Sequence, residues 1–192
     1  MALQKTYIDA NQLLLDSYEL ALQVLDSEFR PDLIVGIWRG GTPVAIAIHE
    51  LLLFLGAPAD HIAIRTSHYT GINKTANGVS VEGLEYLLQR VNDCNHLLLV
   101  DDVFDTGRSL RQVITELQQH CGDSAPVIKI ATPYFKPKNN TTSIQPDYYL
   151  HQTDAWLVFP HELDGLSNAE IAEEKPGLGH LRERVLRYRK GL

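Results

Sequence analysis

Runs of period two and period three to four alternate along the chain, and the points where one gives way to the other mark the elements. Residues 97–100, Leu-Leu-Leu-Val, contain no polar member, as expected of a strand covered on both faces in a parallel sheet. Ten residues further on, Leu110, Val113, Ile114 and Leu117 recur at i, i+3, i+4 and i+7, which puts them on one helix face. The same alternation begins earlier. Residues 9–29 read as an amphipathic helix with Leu14, Tyr18, Ala21, Leu22, Leu25 and Phe29 on its apolar side, broken by Arg30-Pro31-Asp32. Residues 33–38 read as a buried strand, and Thr42 and Pro43 as the N-cap and first position of the next helix. That helix, 44–55, is apolar almost all round and is expected to be buried; Gly56 and Pro58 close it.

A third strand is expected at 61–66, a structureless lid or surface loop at 67–80, and a short helix at 81–91 with Leu84, Leu87, Leu88 and Val91 on one face. Further strands fall at 126–132, 147–151 and 155–159, with a polar loop at 134–142, and the tail ends in a basic helix at 180–190 that reads as a solvated face. Strands alternating with helices up to about residue 132 predict an α/β fold. The expected form is a Rossmann-like, mostly parallel twisted sheet flanked by helices. The 192 residues fit a single domain, with a core over about 9–132 and a small hood subdomain over about 133–192.

Composition changes this picture little. Hydrophobic content of 44% and charged content of 21% are ordinary for a globular protein, and no run approaches the roughly 20 apolar residues of a membrane helix. The start M-A-L-Q-K-T lacks a basic region followed by an apolar core, so no export signal is expected and the cytoplasm is the expected compartment. Cys94 and Cys121 lack metal-ligand spacing. A net charge of −7 argues against gripping nucleic acid but leaves room for a small phosphorylated ligand, which needs only a local cluster of donors.

Such a cluster stands at the end of the 97–100 run. Asp101 and Asp102 are followed by Asp105, Thr106, Gly107, Arg108 and Ser109, which offer backbone N–H groups, two hydroxyls and a guanidinium beside a helix N-terminus. That combination is a phosphate site. Ser109 with Gln112 also matches the spacing of a capping box, although Gly107-Arg108 makes a pure cap a poor account. A second strand-loop-helix junction carries Arg39, Gly40 and Gly41, where a cation and two residues without side chains meet a strand's carboxyl end. Taken alone, that tripeptide is more often a turn.

The run V100-D-D-V-F-D-T-G-R-S109 closely resembles the phosphoribosylpyrophosphate (PRPP) signature of the type I phosphoribosyltransferases, and the resemblance extends over most of the chain. It implies that Asp105 to Ser109 cradle the 5′-phosphate, that Asp101 and Asp102 address the ribose hydroxyls and Mg2+, and that Arg39-Gly40-Gly41 form the pyrophosphate loop with its often cis peptide. In the 67–80 lid it implicates Ser67, Tyr69 and Lys74, with His68 separating a Ser and a Tyr that are usually adjacent. The second half resembles the six-oxopurine branch, which acts on hypoxanthine, guanine or xanthine. By that resemblance Lys136 donates to the purine O6, Trp156 stacks on the ring, the Leu157 backbone meets the pyrimidine edge, and Glu162 takes the place of a magnesium-associated Asp. Without the family, Lys136 is a loop lysine and Trp156 a core residue.

The implied reaction is attack of purine N9 on C1 of PRPP with loss of pyrophosphate, Asp105 acting as general base. PRPP and a purine base are the expected partners, without nucleic acid or membrane, and the expected assembly is a homo-oligomer, dimer or tetramer. Three rivals remain: a PRPP-sensing regulator on the same fold, a transferase for another nucleobase, and a phospho-acceptor receiver domain. The last begins with similar paired acids, but near its N-terminus, whereas here a hundred residues precede them.

Overall fold

In the computed structural model, which describes residues 5–69, 78–91 and 93–190, strand β1 (Lys5–Tyr7) leads into helix α1 (Ala10–Asp26). Asp9 starts the helix, its carboxylate accepting the N–H of Asn11 at 2.9 Å and of Gln12 at 3.3 Å. The buried stripe of α1 meets the expected one at Ala21 but is otherwise displaced from it. Asp16, Ser17, Leu20, Ala21 and Val24 are covered, while Leu14 and Leu22 are exposed. Two polar residues hide the true face from a hydrophobicity pattern. Asp16 is 5% exposed and lies 2.9 Å from His151 Nε2, so the buried carboxyl has a hydrogen-bond partner.

Strand β2 (Leu33–Trp38) and helix α2 (Gly41–Phe54) follow, then the antiparallel pair β3 (Asp60–Tyr69) and β4 (Gly78–Glu82), helix α3 (Leu84–Val91) and strand β5 (His96–Val100). Next come β6 (Val103–Phe104), α4 (Arg108–Cys121), β7 (Val127–Phe135) and β8 (Tyr148–Gln152). The sheet order is β4-β3-β2-β5-β7-β6, with β8 also on β7, and every pairing except β3 with β4 is parallel. The expected mostly parallel α/β sheet is therefore present. Leu97 to Val100 have no exposed surface, as their uninterrupted apolar run requires.

Several expectations fail for local reasons. The 67–80 loop is shorter than its polar composition suggests, because Ser67 pairs with Ser80 and Tyr69 with Gly78 as β3 and β4 extend into it. Polar side chains on both strands gave no alternation to read. Helix α2 is not buried all round. Val44, Ile48 and Leu52 are covered, but Ile46, Leu53 and Phe54 are exposed, since a helix lying on a sheet covers one side only. Its N-cap is Gly40, with no side-chain bond, so Thr42 is the second helical residue and not the cap.

The chain divides into two compact units, Leu15–Asp154 and Met1–Leu14 with Ala155–Leu192. The seven-stranded sheet lies in the first, and residues 133–154 go with it, so the division falls later than the boundary expected near 132. The second unit contains β1 and its parallel partner β9 (Trp156–Val158), helix α5 (Asn168–Glu173) and helix α6 (Arg182–Lys190), packed around Val158, Leu166 and Ile171. Among the described residues no helix is long and apolar enough to cross a membrane.

Candidate active site

The strand order reverses between β2 and β5. The chain passes from β2 outward to β3 and β4, then returns to place β5 on the other side of β2. Ligands in such sheets collect beyond the carboxyl ends of the strands at this reversal. Arg39 follows β2 there, and Asp101 follows β5, the two strands being in register from Leu33 opposite Leu97 to Gly36 opposite Val100.

The two loops touch. A Cβ on Gly40 would lie 1.9 Å from Asp102 Oδ2, and one on Gly41 would lie 2.3 Å from the Val100 carbonyl oxygen and 2.7 Å from Asp101 Cα. Only glycine fits this approach, which accounts for both residues in physical terms. The Trp38–Arg39 peptide bond is cis. Arg39 itself is exposed and available to an anion. Burial, then the neighbouring Asp102 charge, hold the Asp101 carboxyl above its ordinary value, although its Oδ1 accepts the Asp102 N–H at 3.0 Å.

A cavity of about 280 Å3 is lined entirely by residues 101–110. Gly107, with φ of 75°, is the N-cap of α4, and a Cβ there would meet Phe104 Cζ and Thr142 Oγ1, each at 2.7 Å. The N-cap is Gly107 and not Ser109, so the capping-box alternative for Ser109 is excluded; the Arg108 N–H donates to Thr106 Oγ1 at 3.5 Å, and Gln112 donates to Glu116 at 2.9 Å. The first helical backbone bond at this end runs from Arg111 N–H to the Gly107 carbonyl. Thr106, Gly107, Arg108 and Ser109 all line the cavity, and the first turn of a helix is where an anion finds backbone N–H donors.

Asp105 and Lys136, assigned separately from sequence, meet. Strand β7 runs beside β6, Phe135 opposite Phe104, and the Lys136 N–H donates to the Phe104 carbonyl at 2.9 Å. This brings Lys136 Nζ to 3.1 Å from Asp105 Oδ2, with Lys136 8% exposed. The other carboxylate oxygen, Oδ1, accepts from Asn139 Nδ2 at 2.8 Å. Thr141 bonds the Thr106 carbonyl through both its N–H, at 3.1 Å, and its hydroxyl, at 3.2 Å, and that hydroxyl also accepts from Arg108 Nε at 3.2 Å. Asn139 and Thr141 were invisible to sequence reasoning. They lie in a run of turn-forming residues, and their contacts depend on how β6 and β7 pair.

Ser67, expected in the lid, is tied across the hairpin, its hydroxyl 2.8 Å from that of Ser80. The side chain of Tyr69, and all of Lys74, lie outside the described residues. In the second unit, Trp156 is 54% exposed, a free aromatic face rather than a core residue, while Leu157 is buried and in register with Thr6 of β1. Glu162 closes the turn after β9: its carboxylate accepts the Phe159 N–H at 2.9 Å, and its own N–H donates to the Phe159 carbonyl at 3.0 Å. Among the described residues no group of three or more His, Cys, Asp or Glu is arranged to hold a metal.

Comparison with known proteins matches residues 4–164 to the phosphoribosyl transferase domain. The chain is 28% identical over 192 residues to a hypoxanthine-guanine phosphoribosyltransferase of Lactococcus lactis, covering 96% of this chain and 94% of that one. It is 32% identical over 165 residues to a xanthine-guanine phosphoribosyltransferase of Desulfotalea psychrophila, covering 84% and 89% respectively. Among solved structures, a purine phosphoribosyltransferase from Pyrococcus horikoshii superposes with a TM-score of 0.64 at 31% identity, over 85% of this chain and 97% of that one. A signature at the reversal point of a parallel sheet, a domain match spanning most of the residues and relatives alike over nearly their whole length lead to one assignment: the chain belongs to the phosphoribosyl transferase domain family.

Proposed function

We propose that this protein transfers the 5-phosphoribosyl group of PRPP to N9 of a 6-oxopurine, releasing pyrophosphate and a nucleoside 5′-monophosphate. The observation that carries the reading is the Asp105–Lys136 pair beside the phosphate loop. A proton acceptor and a donor, 3.1 Å apart, match two adjacent positions on a 6-oxopurine, the N7 hydrogen and the O6 acceptor. The names of the relatives, hypoxanthine-guanine and xanthine-guanine phosphoribosyltransferase, point the same way.

Each residue then has a task. The Thr106 to Ser109 backbone and hydroxyls bind the 5′-phosphate, and Arg39 with the Gly40-Gly41 backbone binds pyrophosphate. Asp101 and Asp102 accept the ribose hydroxyls. Two carboxylates are also a hard-oxygen donor set suited to Mg2+, which characteristically takes one or two carboxylates and completes its shell with water and substrate phosphates. Bound there, magnesium would supply charge neutralisation at the leaving pyrophosphate. Glu162 has one carboxylate oxygen engaged by the Phe159 N–H of its own turn.

Asp105 takes the N7 proton as N9 attacks. Its two oxygens have about four lone-pair sites, so bonds from Lys136 and Asn139 leave room for that proton. Lys136 has three N–H donors and can bind O6 while keeping Asp105. Trp156 offers a stacking face.

Incubation with PRPP, Mg2+ and hypoxanthine, guanine, xanthine, adenine, uracil or orotate tests the proposal. Nucleotide should form with at least one 6-oxopurine and not with adenine or the pyrimidines. PRPP binding without nucleotide from any base would replace the transferase with a PRPP sensor.

A further inference from the structure

The turn that follows β7, residues 136–144, bonds to the phosphate loop at more points than Lys136 alone explains. Asn139 holds Oδ1 of Asp105, on the side of the carboxylate away from Lys136. Two residues later, Thr141 grips the Thr106 carbonyl twice and accepts from Arg108. The turn is itself braced. Asn140 Oδ1 accepts from the Thr142 N–H at 2.9 Å and its hydroxyl at 2.8 Å, Asn140 Nδ2 donates to the Ile144 carbonyl at 2.7 Å, and Arg111 of α4 donates to Ser143 Oγ at 2.8 Å. Thr142 Oγ1 closes the space beside Gly107.

We propose that Asn139 and Thr141 are positioning residues with separate duties: Asn139 orients the carboxylate of Asp105 for proton transfer, and Thr141 sets the Thr106–Arg108 backbone that binds the 5′-phosphate. The inference rests on the transferase reading above. Neither residue needs to touch substrate. A carboxylate at the edge of a loop turns freely about its terminal torsion, and two donors on opposite oxygens remove that freedom. Without Asn139, Asp105 keeps Lys136 but loses its second anchor, so the chemical step suffers while PRPP binding does not. Without the Thr141 hydroxyl, Arg108 Nε loses an acceptor and the Thr106 carbonyl one of its two donors. The phosphate site then loosens while Asp105 stays aligned.

Steady-state kinetics of Asn139→Leu and Thr141→Val, with PRPP varied at saturating 6-oxopurine, separate the two duties. The expected result for Asn139→Leu is a kcat about tenfold lower, the scale of one hydrogen bond to a charged group, with KM for PRPP within about twofold of wild type. For Thr141→Val the expectation is KM for PRPP raised about three- to tenfold with kcat within about twofold. A general loosening of the turn would move kcat and KM together in both variants. That pattern, or two variants indistinguishable from wild type, overturns the assignment. Should Asn139→Leu fail to fold, Asn139→Ala removes the donor without adding charge, and the same loss of kcat is expected. Wild-type protein inactive with every purine would sink the transferase reading and this inference with it. An active wild type with unaffected variants would sink the inference alone.

Discussion

Asp105 joins three features that the sequence could not connect: it lines the 101–110 cavity, accepts from Lys136 and accepts from Asn139. Its replacement should therefore affect chemistry more than binding. Asp105→Asn is expected to lower kcat by about 10² to 10⁴, the usual worth of a positioned base, with PRPP affinity within a few-fold of wild type; stopped-flow turnover and calorimetric titration with PRPP measure the two separately. Lys136→Ala should reduce the preference for hypoxanthine over adenine, read as the ratio of their kcat/KM values, because the ammonium donates to a 6-oxo group and has nothing to accept from a 6-amino group. An unchanged ratio would remove Lys136 from base recognition. The acids and the loop were legible because a signature is local. Trp156 was harder, since an exposed ring and a core residue look alike in one dimension and only the fold shows it 54% exposed.

At the scale of elements, the close approach of the β2–α2 and β5–β6 loops makes a graded prediction. The Cβ of Gly41→Ala would sit against the Val100 carbonyl, which is main chain of the central strand and cannot yield cheaply. The Cβ of Gly40→Ala would meet mainly the Asp102 carboxylate, which can rotate away. Thermal or urea unfolding should therefore show Gly41→Ala destabilised by about 1 to 3 kcal/mol and Gly40→Ala by less, while both lose PRPP affinity. Both variants as stable as wild type would mean that the two loops part without cost. The glycines could be picked out from sequence, but their reason could not, because it depends on the parallel register that sets Gly36 beside Val100. Helix α1 teaches the converse. Its apolar pattern pointed to a stripe displaced from the buried one because Asp16 and Ser17 are buried, and the partner that makes Asp16 tolerable, His151, lies 135 residues away.

At the scale of the molecule, the alternation of strands and helices was enough to predict the parallel sheet, whereas the assembly of the second unit from both chain ends was not, because β1 pairs with β9 across most of the sequence. In that unit Lys5 Nζ donates to Glu170 at 2.5 Å, and Ser167 and Glu170 form a reciprocal cap on α5. The Lys5 bond, then the Ser167 N–H and hydroxyl, pull the Glu170 carboxyl from 4.5 down to about 2. A lowered carboxyl stabilises the folded state fully above its ordinary value and loses that contribution as pH falls toward its folded value. The gap in thermal midpoint between wild type and Glu170→Gln should accordingly be widest above about pH 5 and close as pH drops from 4.5 toward about 2. A gap independent of pH would show that the ion pair contributes nothing.

The transferase account is tested most directly by the stoichiometry of a single reaction: wild-type protein, PRPP, Mg2+ and hypoxanthine or guanine, with pyrophosphate and nucleotide quantified together. The expected result is one pyrophosphate released for each N9-linked nucleoside 5′-monophosphate formed. Pyrophosphate released without nucleotide, or PRPP bound and left intact in the presence of every 6-oxopurine, would contradict it.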